Sequence, residues 1–169
     1  MKKLILTTLA LVLLMSASAS ATVDCFNTKG SALVPSMYTY YISNTNWRTS
    51  LLHITNITDS EVTCKVTVYD GNGNDVSSYS KLLKDSFGAG TNGEVIATGV
   101  STFIIPAQAT RVFSFHYDNL NKFVMGHAVI EWTSENKTLR KALIAGFRSR
   151  AKSGNNFEAQ FPVNNGQPF

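Results

Sequence analysis

The chain has 169 residues, with 15 lysines and arginines against 11 aspartates and glutamates, two cysteines and 11% aromatic residues. That length suits one domain with a core of its own. A formal net charge of +4 argues neither for nor against nucleic acid, since only the placement of charge could decide it, and no nucleic-acid partner is expected.

The chain opens MKKLILTTLALVLLMSASASA. Lys2 and Lys3 form a positive start, Leu4 to Met15 an apolar run and Ala19-Ser20-Ala21 a small-residue cleavage site, so residues 1–21 read as a secretory signal peptide. The apolar run is too short to span a bilayer, and Thr22-Val23-Asp24 ahead of Cys25 does not suit lipid attachment. The expected mature chain is a single domain over residues 22–169, periplasmic or secreted from a bacterial cell. Without Lys2 and Lys3 it holds 13 basic and 11 acidic residues, with 5 and 7 over residues 22–110 but 8 and 4 over residues 111–169. Cys25 and Cys64 both lie in the exported part, where an oxidising compartment favours a disulfide between them. Closing a loop of about 40 residues is worth roughly 4 kcal/mol by chain entropy. Two buried free thiols are the alternative.

Residues 22–35 look irregular, anchored by Cys25 and closed by Pro35. Residues 36–42 (SMYTYYI) read as an aromatic strand and Asn44-Thr45-Asn46 as a turn, because asparagine tolerates left-handed backbone. Strands over 48–57 and 61–70 follow, joined at Thr58-Asp59-Ser60 and read as a pair. In the second, Val62, Cys64, Val66 and Val68 alternate with Thr63, Lys65 and Thr67, the period-2 pattern of a half-buried strand. Gly71-Asn72-Gly73-Asn74 turns the chain, and residues 75–83 return as a weaker strand. Residues 84–99 hold four glycines and no sustained pattern, and read as a long loop.

Strands resume at 101–106 and at 110–117, where Phe113, Phe115 and Tyr117 share a face. A further strand covers 123–133, with Val124, Gly126, Ala128, Ile130 and Trp132 together, and Ser134 to Lys137 form a turn. Residues 138–150 fit a helix or a strand; the short turn before them and Gly146 within them favour strand. Residues 156–161 add an edge strand that Pro162 ends. A lone hairpin is marginal in water, so seven to nine short strands without a clear helix imply an all-β, antiparallel two-sheet β-sandwich.

Several runs carry a resemblance: Tyr40-Tyr41-Ile42, Trp47 to Leu51, Ile54-Thr55-Asn56, Tyr69 to Asn74, Gly126 to Trp132 and the closing Pro162 to Phe169. They resemble bacterial exported immunoglobulin-like β-sandwich domains and, more distantly, the β-sandwich transducer of sensory rhodopsins. The likeness covers most of the mature chain. Its motifs are turn and core signatures, so it implies a fold and a location and brings no active site.

Motifs that could carry chemistry are thin. Gly88-Ala89-Gly90-Thr91-Asn92-Gly93 has the G-x-G-x-x-G form, but a β-branched stretch follows where a dinucleotide site needs a helix. Asp70, Asn72 and Asn74 resemble the start of a calcium loop, yet Asp75 and Lys81 stand where glycine and a bidentate glutamate are needed, so ordinary hairpin chemistry is the stronger reading. His53, His116 and His127 lack zinc-ligand spacing and read as strand histidines. No G-x-S-x-G elbow supports a hydrolase. Asn56-Ile57-Thr58 and Asn136-Lys137-Thr138 have the form of glycosylation sequons, idle after a bacterial export signal.

Two surface readings remain. Trp47 and Tyr40 are candidates for stacking on a sugar face, as in a carbohydrate-binding module. Six positive side chains and no acid lie between Lys137 and Lys152; on a strand, Arg140, Arg148, Arg150 and Lys152 share a face and could bind an anionic partner bidentately, or simply protect a solvated edge. The expectation is a non-enzymatic module that binds a protein or glycan at the cell envelope or assembles with itself through edge strands, with no cofactor or metal.

Overall fold

The computed structural model describes residues 26–84, 93–116 and 123–169. The β-branched alternation produces ten strands: β1 Gly30–Ser43, β2 Asn46–Asn56, β3 Val62–Asp70, β4 Ser80–Lys84, β5 Glu94–Thr98, β6 Thr102–Ile105, β7 Thr110–Phe115, β8 Phe123–Thr133, β9 Leu143–Ser153 and β10 Asn155–Pro162. Helical structure among the described residues is limited to 3-10 turns at Ser77–Tyr79 and Val163–Gly166. The strand order is β5-β4-β7-β2-β1-β8-β3-β6, with β9 on β2 and β10 on β9. Every pairing is antiparallel. The protein is thus all-β, a single sheet curled into a half-barrel. Among the described residues its hydrogen bonding runs unbroken where the sequence suggested two separate sheets, and they hold ten strands where seven to nine were expected.

The curl depends on β2, which serves three neighbours. β9 pairs with it from Asn46 to Asn56. On the remaining edge β1 pairs only near Trp47 and Arg48, and β7 takes over from Ser50 to Thr55. Where β1 leaves, hydroxyls replace the ladder. The buried Ser50 Oγ donates to Tyr38 O and accepts from Tyr38 N–H, both at 2.9 Å. Thr39 Oγ1 donates to Arg48 O at 3.1 Å, and Thr49 Oγ1 to Phe115 O at 2.9 Å. Backbone groups left unpaired there would cost about 1–3 kcal/mol each.

The stretch read as a β2–β3 pair is a crossover. β3 lies between β8 and β6 and shares no ladder with β2. Asn56 explains the difference. Its buried Nδ2 donates to the carbonyls of Ser60 (2.7 Å), Pro106 (3.0 Å) and Ile105 (3.1 Å), and its Oδ1 accepts from Thr58 N–H and Oγ1. An amide satisfied within its own corner fixes that corner instead of a hairpin turn. Asn136 repeats the device, accepting from Thr138 N–H at 3.1 Å and Oγ1 at 2.7 Å. The two N-x-T triplets are corner locks.

The inward faces follow the alternation: Val62, Cys64, Val66 and Val68 are buried with Ala128, Ile130 and Trp132, against Leu52, Ile54 and Phe113 from the other limb of the curl. Other expectations move. Residues 30–35 belong to β1, and Pro35 sits at the register shift between Val34 and Met37, where a bulge tolerates its missing N–H. Ser77–Tyr79 form a 3-10 turn, so the returning strand starts only at Ser80, while β5 forms inside the stretch read as a loop. Residues 138–142 stay out of β9, which begins at Leu143 as a strand. Tyr117 and the glycine-rich residues 88–92 lie outside the described residues.

Two strand glycines make opposite demands. A Cβ on Gly126 would lie 1.8 Å from Tyr69 O, whereas one on Gly146 would meet nothing within 4 Å. Gly126→Ala is therefore expected to cost about 3 kcal/mol or more, and Gly146→Ala no more than about 0.5 kcal/mol. Urea denaturation of the two variants checks this; equal costs would contradict the β3–β8 contact.

Candidate functional site

The later half of the basic run, Arg148, Arg150 and Lys152, lies in β9, and β10 folds back on it through Gly154 at φ +74°. β10 then brings the acid that the run itself lacks. Arg148 Nη2 donates to Glu158 Oε2 at 2.7 Å, Arg150 Nε lies 3.9 Å from the same oxygen, and Gln160 Nε2 donates to Glu158 Oε1 at 2.8 Å. The hydrogen bonds from Arg148 and Gln160 hold the Glu158 carboxyl below its usual range. Arg140 sits in the turn before β9 and does not join the face of Arg148 and Arg150. Lys152 stays on that face, opposite Trp47 and Asn156. Of the four residues expected to bind an anion, Arg148, Arg150 and Lys152 thus share a partly neutralised strip on β9.

Beyond β9, β10 pairs with no other strand among the described residues. Its outer backbone edge is open, with Phe157 55% and Phe161 40% exposed. Phe161 stacks on Phe147 at 4.4 Å between centroids, so it is held in place while still presenting a ring. β10 carries no lysine, and its proline is its last residue. The usual devices that blunt an edge are missing.

β2 places His53 on the same face of the sheet, opposite Gly146 and one diagonal step from Arg148. The Nε2 of His53 and the Nε of Arg148 are both buried without a hydrogen-bond partner. His53 is thus not the satisfied strand histidine the sequence suggested. Burial, then the Arg148 charge, lower its pKa from the ordinary 6.5, with Glu158 acting the other way.

The stacking candidates separate. Tyr40 pairs with Phe123 and Arg48, whereas Trp47 pairs with Tyr41, and neighbouring positions on a strand face opposite ways. Tyr40 joins Tyr38 and Phe123, with Tyr38 edge-on to both at 5.9 and 4.7 Å and the Arg48 guanidinium 4.2 Å above the Tyr38 ring. Trp47 instead lines a hollow with Tyr41, Thr49 and Arg150. No flat shared platform for a sugar arises from the pair.

The calcium reading becomes a turn. Asp70 Oδ1 accepts from the backbone N–H groups of Asn72 and Asn74, and both carboxylate oxygens accept from Asn74 Nδ2. These bonds, the Asn74 side chain first, lower the Asp70 pKa. No disulfide is present among the described residues: Cys64 is a free thiol, buried so fully that its pKa is driven far upward, and Cys25 lies outside the described residues. Phe26 rests against Lys65, 5.7 Å from its Nζ, and Lys65 faces away from the Cys64 thiol. His, Cys, Asp and Glu side chains form no cluster able to hold a metal among the described residues, and none of their helices is long and apolar enough to cross a membrane.

Comparison with family models, with curated proteins and with solved structures found no match. The site therefore rests on geometry, and three of its residues escaped the sequence reading. Glu158 lay in a tail read only as an edge strand. Phe157 and Phe161 stand four apart on the other face of the strand from Glu158, which is their local signal. The open contact of His53 depends on a diagonal neighbour ninety-odd residues away in the chain.

The His53 environment has a pH consequence. The folded chain resists protonating this imidazole while the unfolded chain takes up the proton near the ordinary value, so stability rises with pH between about 5 and 7. Asp70 and Glu158, with lowered pKa values, act below about pH 4 instead. His53→Gln should flatten the dependence of the urea midpoint on pH between 5 and 7. An unchanged slope would contradict the assignment.

Proposed function

We propose that this chain is an exported interaction module that assembles with a second copy of itself, edge to edge along β10. In this reading the two limbs of the curl, β10-β9-β2-β7-β4-β5 and β1-β8-β3-β6, act as the layers of an immunoglobulin-like sandwich, and β10 offers one layer for extension.

The observation that carries the proposal is the symmetry of Phe157-Glu158-Ala159-Gln160-Phe161. Two copies paired antiparallel about Ala159 set Phe157 opposite the partner's Phe161 and Glu158 opposite the partner's Gln160, each twice. Such a two-fold contact is self-complementary and closed, so it stops at a dimer. Of the two neighbouring registers that also keep faces together, the one centred on Glu158 opposes two carboxylates, and like charges directly opposite are destabilising. The one centred on Gln160 sets Phe161 opposite Ala159 and Glu158 opposite Pro162, so it loses the phenylalanine pairs. Cross-strand aromatic pairs contribute roughly 0.2–1 kcal/mol each, in addition to the main-chain hydrogen bonds that strand addition supplies. A two-strand contact lies at the small end of specific interfaces, so association on the order of micromolar or weaker is expected.

The test is sedimentation equilibrium of residues 22–169. The wild type should show a reversible monomer–dimer equilibrium. Phe157→Lys should leave only monomer without lowering the melting temperature, because Phe157 is already exposed. Gln160→Glu should weaken the dimer by opposing Glu158 of the other copy, and Gln160→Lys should preserve or strengthen it. A monomer at every concentration, or a dimer indifferent to all three substitutions, would refute the β10 contact.

A further inference from the structure

On the face that carries Arg148, a groove of about 500 Å³ runs between β2, β9 and β10. His53 and Thr55 of β2, Gly146 and Arg148 of β9 and Gln160 of β10 supply its polar lining, with Ile144 and Pro162 as apolar walls. Three features make it more than a surface hollow. The groove is open at Gly146, since an added Cβ there would meet no atom within 4 Å, and Gly146 is the cross-strand partner of His53. Arg148 is anchored through Nη2 to Glu158 at 2.7 Å, which fixes the plane of its guanidinium but leaves Nε buried and unpartnered. His53 Nε2 is buried and unpartnered as well.

Buried polar atoms nearly always have a partner, and leaving one without costs about 1–3 kcal/mol, more for a charged group. Arginine Nε is always a donor, and a neutral imidazole protonated on Nε2 is a second donor. In that tautomer, what the two lack is an acceptor. A carboxylate has two oxygens, each with spare lone pairs, and forms its strongest hydrogen bonds with guanidinium donors. The volume falls within the range of small-molecule sites, and the Ile144 and Pro162 walls suit an apolar body behind the charged head.

We infer that this groove is a binding site for a carboxylate on an apolar stem, its oxygens accepting from Arg148 Nε and His53 Nε2 and its body lying over Gly146 between Ile144 and Pro162. The floor of the site is β2 and β9, so a failure of pairing along the outer edge of β10 leaves the groove in place. Two sources present this chemistry, a free small organic acid or the carboxylate of a protein chain.

The test is a titration of ¹⁵N-labelled residues 22–169, followed at the Gly146 amide and the Arg148 Nε–H resonance, with benzoate and with its neutral isostere benzamide. Saturable shifts of both resonances with benzoate, at least about tenfold tighter than with benzamide, support the site. Gly146→Leu, which fills the groove from an open position, should abolish the benzoate shifts while the melting temperature is kept. Arg148→Lys, which retains charge but loses the Nε donor, should weaken binding. A tripeptide ending in phenylalanine with a free carboxylate, set against its amide, identifies the source: tighter binding of the free-acid tripeptide than of benzoate points to a protein chain, the reverse to a small acid. Equal, non-saturating responses to benzoate and benzamide, with no response to the tripeptide, would mean that only water fills the groove. Benzoate shifts that survive Gly146→Leu would place any binding elsewhere and overturn the inference equally.

Discussion

Everything in this fold depends on how one strand can serve three neighbours. β2 runs full length against β9, but on its other edge it gives up β1 after Arg48 and accepts β7 from Ser50. At that fork backbone groups of Tyr38, Arg48 and Phe115 are met by side chains: Ser50 serves Tyr38, Thr39 serves Arg48 and Thr49 serves Phe115. Side-chain hydroxyls can substitute for a ladder because they donate and accept at once. With the fork satisfied, the sheet curls and closes Leu52, Ile54 and Phe113 over Val66, Ile130 and Trp132. The Asn56 corner then sends the chain from one limb to the other without leaving an amide unpaired.

The same arrangement decides which surfaces are left to work with. Because β9 takes one whole edge of β2, the next strand added on that side, β10, has β9 behind it and open backbone in front. Glu158 reaches back to Arg148 and Arg150, so the charge that would normally protect an edge is turned onto the face of the sheet. That one displacement yields both features of the site: an edge with alternating phenylalanines and no free charge, and a face where Arg148 is held with its Nε pointing to no acceptor.

Much of this was legible in the sequence. Period-2 alternation located β3 and β8 and their buried faces, since Val62, Cys64, Val66 and Val68 follow a local rule that tertiary packing has no reason to override. Residues 138–150 fit helix or strand, and the short turn before them with Gly146 inside favours strand, which holds from Leu143 onward. Pairing was harder to read. A short polar link between two strands looks like a hairpin unless an asparagine such as Asn56 is recognised as a lock for a corner, and its acceptors at Ile105 and Pro106 lie far along the chain. The counter-charge of the basic strip was not legible, because Glu158 arrives from a different strand. Tyr40 and Trp47 were both legible as stacking candidates, but not that the β1–β2 register puts them on opposite sides. The fork itself has no local signature: Thr39, Thr49 and Ser50 look like ordinary strand residues until two strands compete for one edge.

The most direct measurement on the central proposal, that the open edge of β10 is where copies meet, is amide hydrogen exchange of residues 155–162 at increasing protein concentration. Within β10, amides bonded to β9 should be protected at every concentration. The alternate amides on the outer edge should exchange freely in dilute protein and become protected as it is concentrated, with a midpoint that follows the dissociation constant. Exchange on the outer edge that stays fast and independent of concentration, while other edge strands gain protection, would contradict it.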